Sequence, residues 1–358
     1  MREVVERLLE VEDDLVATVV APLDRRRPGN EEDRIRLRNL VSDAKSAVKE
    51  SGDAQRARAV VEGLDRAVSQ LDLTSGADGV LVVASPTMSE AHLLHFPVRE
   101  LVEVGTTPAT RLLIQGLRRS PRYRVLVVSE RTAHLYEAVR DELTEVREHG
   151  FPLETEIVNR DRRAVAGRFA QEPGGDDKEQ ERNFFREVDE ALAAVEHDSK
   201  LPLVLAGVRT STALFEEVSR NQRKVLGRLD GSHEHTAAHE LGAAAWEIVR
   251  EHLRQRRREA VEELVEAMHA GKAVTGIDEA WMYAREGRGR LLVVEEDYKG
   301  IPSREEHGRL VPAAPSEPDV MADPVDELIE HVVRAGGAVE FVASGDLADY
   351  ASIGLLLR

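Results

Sequence analysis

The longest apolar runs in this chain, such as Leu201–Gly207 and Leu291–Val294, are only strand-sized. They fall far short of the ~20 residues that span a bilayer. Short apolar runs set between amphipathic stretches restrict the fold to strands that alternate with helices covering them, an α/β chain. A strand at Leu15–Ala21, broken by Pro22, precedes helices at Asp33–Lys49 and Ala54–Leu71 and a strand at Val80–Ala84. Farther on, Arg122–Ser129 reads as a buried strand with Thr132–Tyr136 as its hairpin partner, and Phe151–Val158 alternates like a strand. Phe184, Phe185, Val188, Leu192 and Val195 share one face of a helix at Glu181–Val195, which leads to the strand Leu201–Val208 and the helix Thr212–Asn221. A long helix is expected from Thr236 to Ala270. After it come a helix at Asp278–Arg285, a strand at Arg290–Glu295, a Pro-containing loop Pro302–Pro324 and a helix at Pro324–Ala335. Gly336-Gly337 stops that helix, and strands follow at Ala338–Val342 and Ile353–Leu357.

At roughly 150 residues per domain, 358 residues predict two or three domains. The boundaries expected are 1–115 for an N-terminal α/β domain, 116–232 for a middle domain and 233–358 for a C-terminal one. Net charge is −18, which excludes a general nucleic-acid coat, because phosphate binding needs clustered Lys and Arg. The charge is uneven. Residues 230–358 carry −12 of it, whereas residues 116–229 stand at −1. The middle part also holds Arg118, Arg119, Arg122 and Arg124, then Arg160, Arg162, Arg163 and Arg168, so RNA contact is expected there if anywhere. The chain has no cysteine, which removes disulfides, thiolate nucleophiles and cysteine-type zinc sites. Acidic residues interrupt the amino-terminal stretch, which lacks a signal-peptide core; a cytoplasmic protein is expected.

Candidate chemistry is sparse. His233, His235 and His239 form the densest histidine group, and the last two would share a helix face. Thr236 stands where the H-E-x-x-H signature needs a general-base Glu, and a linker entering a helix is the better reading. Gly287-Arg-Gly-Arg precedes a strand, the wrong order for a dinucleotide fingerprint, and no P-loop or nucleophile elbow is present. No cofactor is expected. The run Arg254, Arg256, Arg257 and Arg258 faces Glu259, Glu262, Glu263 and Glu266 at helical spacings, which predicts a solvated, ion-paired face. Pro173-Gly-Gly-Asp differs in kind: two adjacent glycines let the backbone approach another molecule closely.

Several stretches taken together resemble the bacterial relatives of the archaeal and eukaryotic peptide-chain release factors and of the ribosome-rescue factor Pelota. They are Asp33-Arg-Ile-Arg-Leu-Arg-Asn-Leu; Phe96-Pro-Val-Arg-Glu-Leu-Val-Glu-Val-Gly with Arg122-Tyr-Arg-Val-Leu-Val-Val-Ser; Phe184-Phe-Arg-Glu-Val-Asp-Glu-Ala-Leu with Leu201-Pro-Leu-Val-Leu-Ala-Gly-Val; and Asp326–Val342 with Ile353–Arg358. The resemblance implies a ribonuclease-H-like middle domain and a C-terminal α/β/α sandwich similar to kink-turn-binding ribosomal proteins. It also implies a Gly-Gly-Gln loop that supports peptidyl-tRNA hydrolysis. Here that loop reads Gly174-Gly175-Asp176, and an acidic residue there would repel nearby phosphates. The expectation is a translation-associated, ribosome-interacting factor for hibernation or stalled-ribosome handling, non-catalytic rather than an enzyme. Its middle domain would meet the ribosome or tRNA, its acidic C-terminal domain a protein partner, and no membrane is involved. Three alternatives are a peptidyl-tRNA hydrolase, a stress-response protein-interaction module that does not bind ribosomes, and a metal-dependent hydrolase built on the three histidines.

Overall fold

A computed structural model describes residues 2–50, 53–155, 175–197, 199–220, 223–314, 317 and 320–358. The chain is a mixed α/β protein with several sheets. It forms two compact units, Met1–Arg119 together with Arg256–Arg358, and Ser120–Gln255.

In the first unit, β1 (Val16–Pro22) lies between β2 (Gly79–Ala84) and β4 (Leu101–Gly105), with β3 (Ser89–Leu94) outside β2 and every pairing antiparallel. All of β2 is buried, and so is β1 up to its last residue. Both faces of the sheet are covered, so these strands read as continuous Val/Ala runs rather than as alternation. One face packs on α2 (Glu31–Glu50) and α3 (Ala54–Ser69) through Leu37, Val41, Val60 and Leu64. The opposite face brings Val16, Val20, Leu81 and Val83 into one core with α1 (Arg2–Leu8) and α4 (Arg111–Arg119). Trp281, Val325, Leu328 and Phe341 from the far end of the chain belong to that same core. The side chain of Asp53 caps α3, accepting the N–H groups of Gln55 and Arg56 at 3.0 Å each.

The C-terminal segment of this unit has a sheet in the order β11 (Ala273–Thr275), β16 (Ile353–Leu357), β12 (Gly289–Glu295) and β15 (Ala338–Val342), with β12 and β15 parallel. α8 (Ile277–Arg285) and α9 (Pro324–Arg334) join the shared core, and Ala260 and Leu264 pack with Val293 and Leu356 in a second one. Gly336 takes φ +75° just beyond α9, and its N–H and that of Gly337 return to Val333 and Val332, the expected glycine stop. The stretch expected as a loop contains a hairpin of β13 (Ser303–Glu306) and β14 (Arg309–Pro312), turned at His307 and Gly308, both with positive φ. That geometry is the I′ kind that matches strand twist. His-Gly is an uncommon turn pair and these strands are charged, so periodicity did not reveal them.

In the second unit the order is β10 (Val225–Asp230), β9 (Leu203–Gly207), β5 (Arg122–Val128), β6 (Thr132–Val139) and β7 (Glu142–Glu145), and β8 (Leu153–Glu154) also pairs with β6. β9 is parallel to both its neighbours. One face carries α5 (Gly175–Val195) and α6 (Arg209–Val218), with Phe184, Phe185, Val188, Leu192 and Phe215 over Leu126, Leu135 and Leu205. The other face meets α7 (Ala238–His269) through Leu241, Ala245 and Val249 over Tyr123, Val125 and Ala206. Gly242 permits this packing: a Cβ there would stand 2.1 Å from the carbonyl oxygen of Asp141. The strand expected at Phe151–Val158 shortens to Leu153–Glu154, and residues 156–158 lie outside the described residues. Arg254 pairs with Glu251 on an exposed face of α7, as an ion-paired helix face would, but two members of the basic run in the first unit pair elsewhere. Arg256 reaches Glu340 at 2.9 Å and Arg257 reaches Glu296 at 3.4 Å, so both bind distant parts of the chain rather than their own helix.

Candidate functional site

Two described elements flank the glycine loop singled out in the sequence. On one side, β8 is fastened to the turn between β5 and β6. Thr155 N–H donates to the carbonyl of Arg131 at 2.9 Å, and Ser129 Oγ shapes the turn by accepting the N–H of Thr132 at 3.0 Å. On the other side, α5 starts at Gly175 and is held by its aromatic face. Glu181 on that helix accepts the Ser211 hydroxyl at 3.3 Å. Burial and then the charge of Glu130, in the same β5–β6 turn, push the Glu181 carboxyl up. Gly174 lies outside the described residues; Gly175 and Asp176 open α5.

The arginines expected at RNA have different fates. Arg122 is exposed, its side chain 59% accessible, and it pairs with Glu137. Arg124 is 2% accessible. It donates to the carbonyl of Ser199 at 2.8 Å and to Glu137 at 3.0 Å. A guanidinium buried this way ties β5 to the chain after α5 and presents no face to RNA. Burial raises the Glu137 carboxyl, but its hydrogen bonds from Arg122 and Arg124 outweigh that and hold it below the usual range. Arg118 and Arg119 end α4 in the first unit, where Arg119 is engaged by Glu296. The structure therefore divides the two pairs between units. Arg160, Arg162, Arg163 and Arg168 lie outside the described residues.

The three histidines are not gathered into a ligand set. His233 Nδ1 lies 3.3 Å from the Thr236 hydroxyl, while His235 and His239 are exposed. Among the described residues no three His, Cys, Asp or Glu side chains are placed to hold a metal ion. Nor is any helix among them long and apolar enough to cross a membrane.

Sequence reading missed the charged anchor beneath α5. Asp189 and Arg223 face each other with side chains 6% accessible each. Asp189 also accepts the hydroxyl of Ser219 at 2.7 Å and the N–H of Arg220 at 3.1 Å, and Arg223 Nε donates to Glu196 at 2.8 Å. Burial raises the Asp189 carboxyl, yet Ser219, Arg223 and Arg220 together hold it below the usual range. Asp189 sits beside the apolar positions of α5, and nothing local in the sequence sets Arg223 apart from other arginines. Only pairing across 34 positions makes either of them notable.

Residues 122–288 match the sequence model of bacterial archaeo-eukaryotic release factor family 3. Over this stretch the chain is release-factor-like. The match begins at β5 and runs through the whole of α5, α6 and α7. Among solved structures, similarity extends to the archaeal translation termination factor aRF1, at 14% identity over all of this chain and 96% of that one, with a TM-score of 0.26. A chain in a structure of ribosome-bound archaeal Pelota and ABCE1 is similar at 12% identity, covering 100% of this chain and 94% of that one, TM-score 0.43. Dom34 of S. cerevisiae is similar at 12% identity over 66% of this chain and 63% of its own, TM-score 0.41. No curated protein matches the sequence.

Proposed function

We propose that this protein is a translation-associated, ribosome-interacting factor. The match of residues 122–288 to a release-factor family carries this reading. The part from 116 to 232 would correspond to the ribonuclease-H-like middle domain and approach the ribosome or tRNA. Its near-neutral charge and the accessible Arg122 support that role. The acidic part from 233 to 358 would meet a protein partner. Gly174-Gly175-Asp176 stands where release factors carry Gly-Gly-Gln, and an aspartate has no amide to donate while its charge repels phosphate. The role that fits is ribosome handling in the cytoplasm, in hibernation or on stalled complexes, without peptidyl-tRNA hydrolysis.

Sedimentation through a sucrose gradient tests the proposal. The full chain is expected in ribosomal fractions of growing or starved cells, and its absence from both would overturn the reading. Peptide release from stalled ribosomes separates the alternatives: background release is expected, and release lost on deleting residues 174–177 would instead establish a hydrolase.

A further inference from the structure

α9 grips the N-terminal segment with its acidic face. Asp326 accepts the N–H of Arg111, the first residue of α4, at 2.8 Å, so a carboxylate from 215 positions away caps that helix. Glu330 accepts the hydroxyl of Thr110 at 2.9 Å, and Glu327 that of Thr107 at 3.2 Å. Arg111 Nη1 donates to Asp323 at 2.8 Å, and Arg334 spans Glu330 at 2.9 Å and the carbonyl of Leu9 at 2.7 Å. Glu330 is 1% accessible, and apolar core side chains (Leu113, Val325, Leu328 and Ile329 among them) belong to the cluster that α4 and α9 share.

Carboxylates outnumber cations here. Asp326, Glu327 and Glu330 come from α9, Asp323 caps that helix, Glu103 comes from β4, and the exposed Glu12 lies nearby. Against them stand Arg111, Arg334 and Lys299. The carbonyls of Glu296 and Tyr298 take a share of Arg111 at 3.2 and 2.6 Å. With Glu330 buried and Glu103, Asp326 and Glu327 half-buried around it, these carboxyls are not all readily ionised together. Burial, then Glu103 and Glu330, raise Asp326 well above the ordinary aspartate value, and burial raises Glu103 and Glu327 too. Burial and the charge of Glu327 push Glu330 up to about 7, against the pull of Arg334 and Thr110. On the same helix, burial, then Arg285 and Arg334, hold His331 down to about 4, so it stays neutral where Glu330 titrates.

We propose that the contact between α4 and α9 is a proton-held latch, closed while the buried Glu330 carboxyl keeps its proton and loosened as it ionises. Docking raises the affinity of Glu330 for its proton. Its contribution is therefore complete below its ordinary value of 4.5 and is lost as pH rises through about 7.

Hydrogen exchange of the full chain alone tests the latch. Between about pH 6 and pH 8, after correction for intrinsic exchange, a single carboxylate titrating at about 7 lowers protection about tenfold. That loss is expected in peptides 111–119 and 324–334 and not in α3. The Glu330→Gln variant is expected to hold protection nearly constant across the same range. Glu327→Gln, which removes the neighbouring charge but leaves Glu330, should move the loss to lower pH. Constant protection in the wild type, equal loss in α3, or an unmoved midpoint in Glu327→Gln would each overturn the proposal.

Discussion

Removing Asp189 tests whether the charged anchor holds α5 in place. Its partner Arg223 is 6% accessible, so Asp189→Ala leaves a buried guanidinium with Glu196 as its one remaining carboxylate among the contacts described above. Breaking a buried ion pair from one side costs roughly 3–5 kcal/mol. Glu196 still compensates part of the charge, which places the expectation at the lower end, about 3 kcal/mol. Arg223→Met should cost a similar amount, because Asp189 then keeps only the Ser219 hydroxyl and the Arg220 N–H among these donors. The double variant Asp189→Leu/Arg223→Met removes both charges and should cost far less than the sum, with a coupling of about 2 kcal/mol. Urea unfolding of the full chain labelled with fluorotryptophan reads this by fluorine NMR. Trp246, stacked on Tyr123 at 6.4 Å, reports the second unit, and Trp281 reports the first. The depressed Asp189 carboxyl adds a pH signature: its contribution is present above the ordinary aspartate value of 3.8 and is lost as pH falls through the lower folded value. Single variants costing under about 1 kcal/mol, or additive losses in the double variant, would refute a buried and coupled pair.

Three further outcomes follow from the packing. Gly242→Ala should destabilise the second unit by about 1–3 kcal/mol in thermal unfolding, because the collision with the Asp141 carbonyl outweighs the helix preference of alanine, about 1 kcal/mol; a stabilised variant would contradict it. Arg124→Ala should cost about 3 kcal/mol, while Arg122→Ala at the accessible pair should cost under about 1 kcal/mol, and equal losses would contradict that assignment. Asp53→Ala should cost about 1 kcal/mol through loss of the α3 cap, read by circular dichroism, and an unchanged midpoint would contradict the capping role.

Much of the second unit was legible in the sequence. β9 and the Val125–Val128 part of β5 stand out as apolar runs because helices cover both faces of their sheet. The aromatic face of α5 recurs at helical spacing, so its burial could be read without knowing what covers it. β7 escaped notice because Glu142-Leu-Thr-Glu is too short and polar for periodicity to register. The glycine stop of α9 and the periodicity of α2 were equally readable, being properties of neighbouring residues.

What local pattern could not supply was the company each side chain keeps. Val16 and Val20 are apolar whatever packs on them, but that Val325 and Phe341 share their core is a fact of tertiary folding alone. The effect is largest for charge. On sequence, Asp189, Asp326 and Glu330 are three acids among 67 Asp and Glu residues, and acids on helices are ordinarily solvated. A carboxylate's ionisation depends on the water removed around it and on the nearest donors and charges, all set by residues distant in sequence. Local sequence thus decided which segments became strands and helices. Tertiary packing decided that Asp189 keeps its charge against Arg223, while Glu330, closed in beside Glu327, is pushed toward its neutral form.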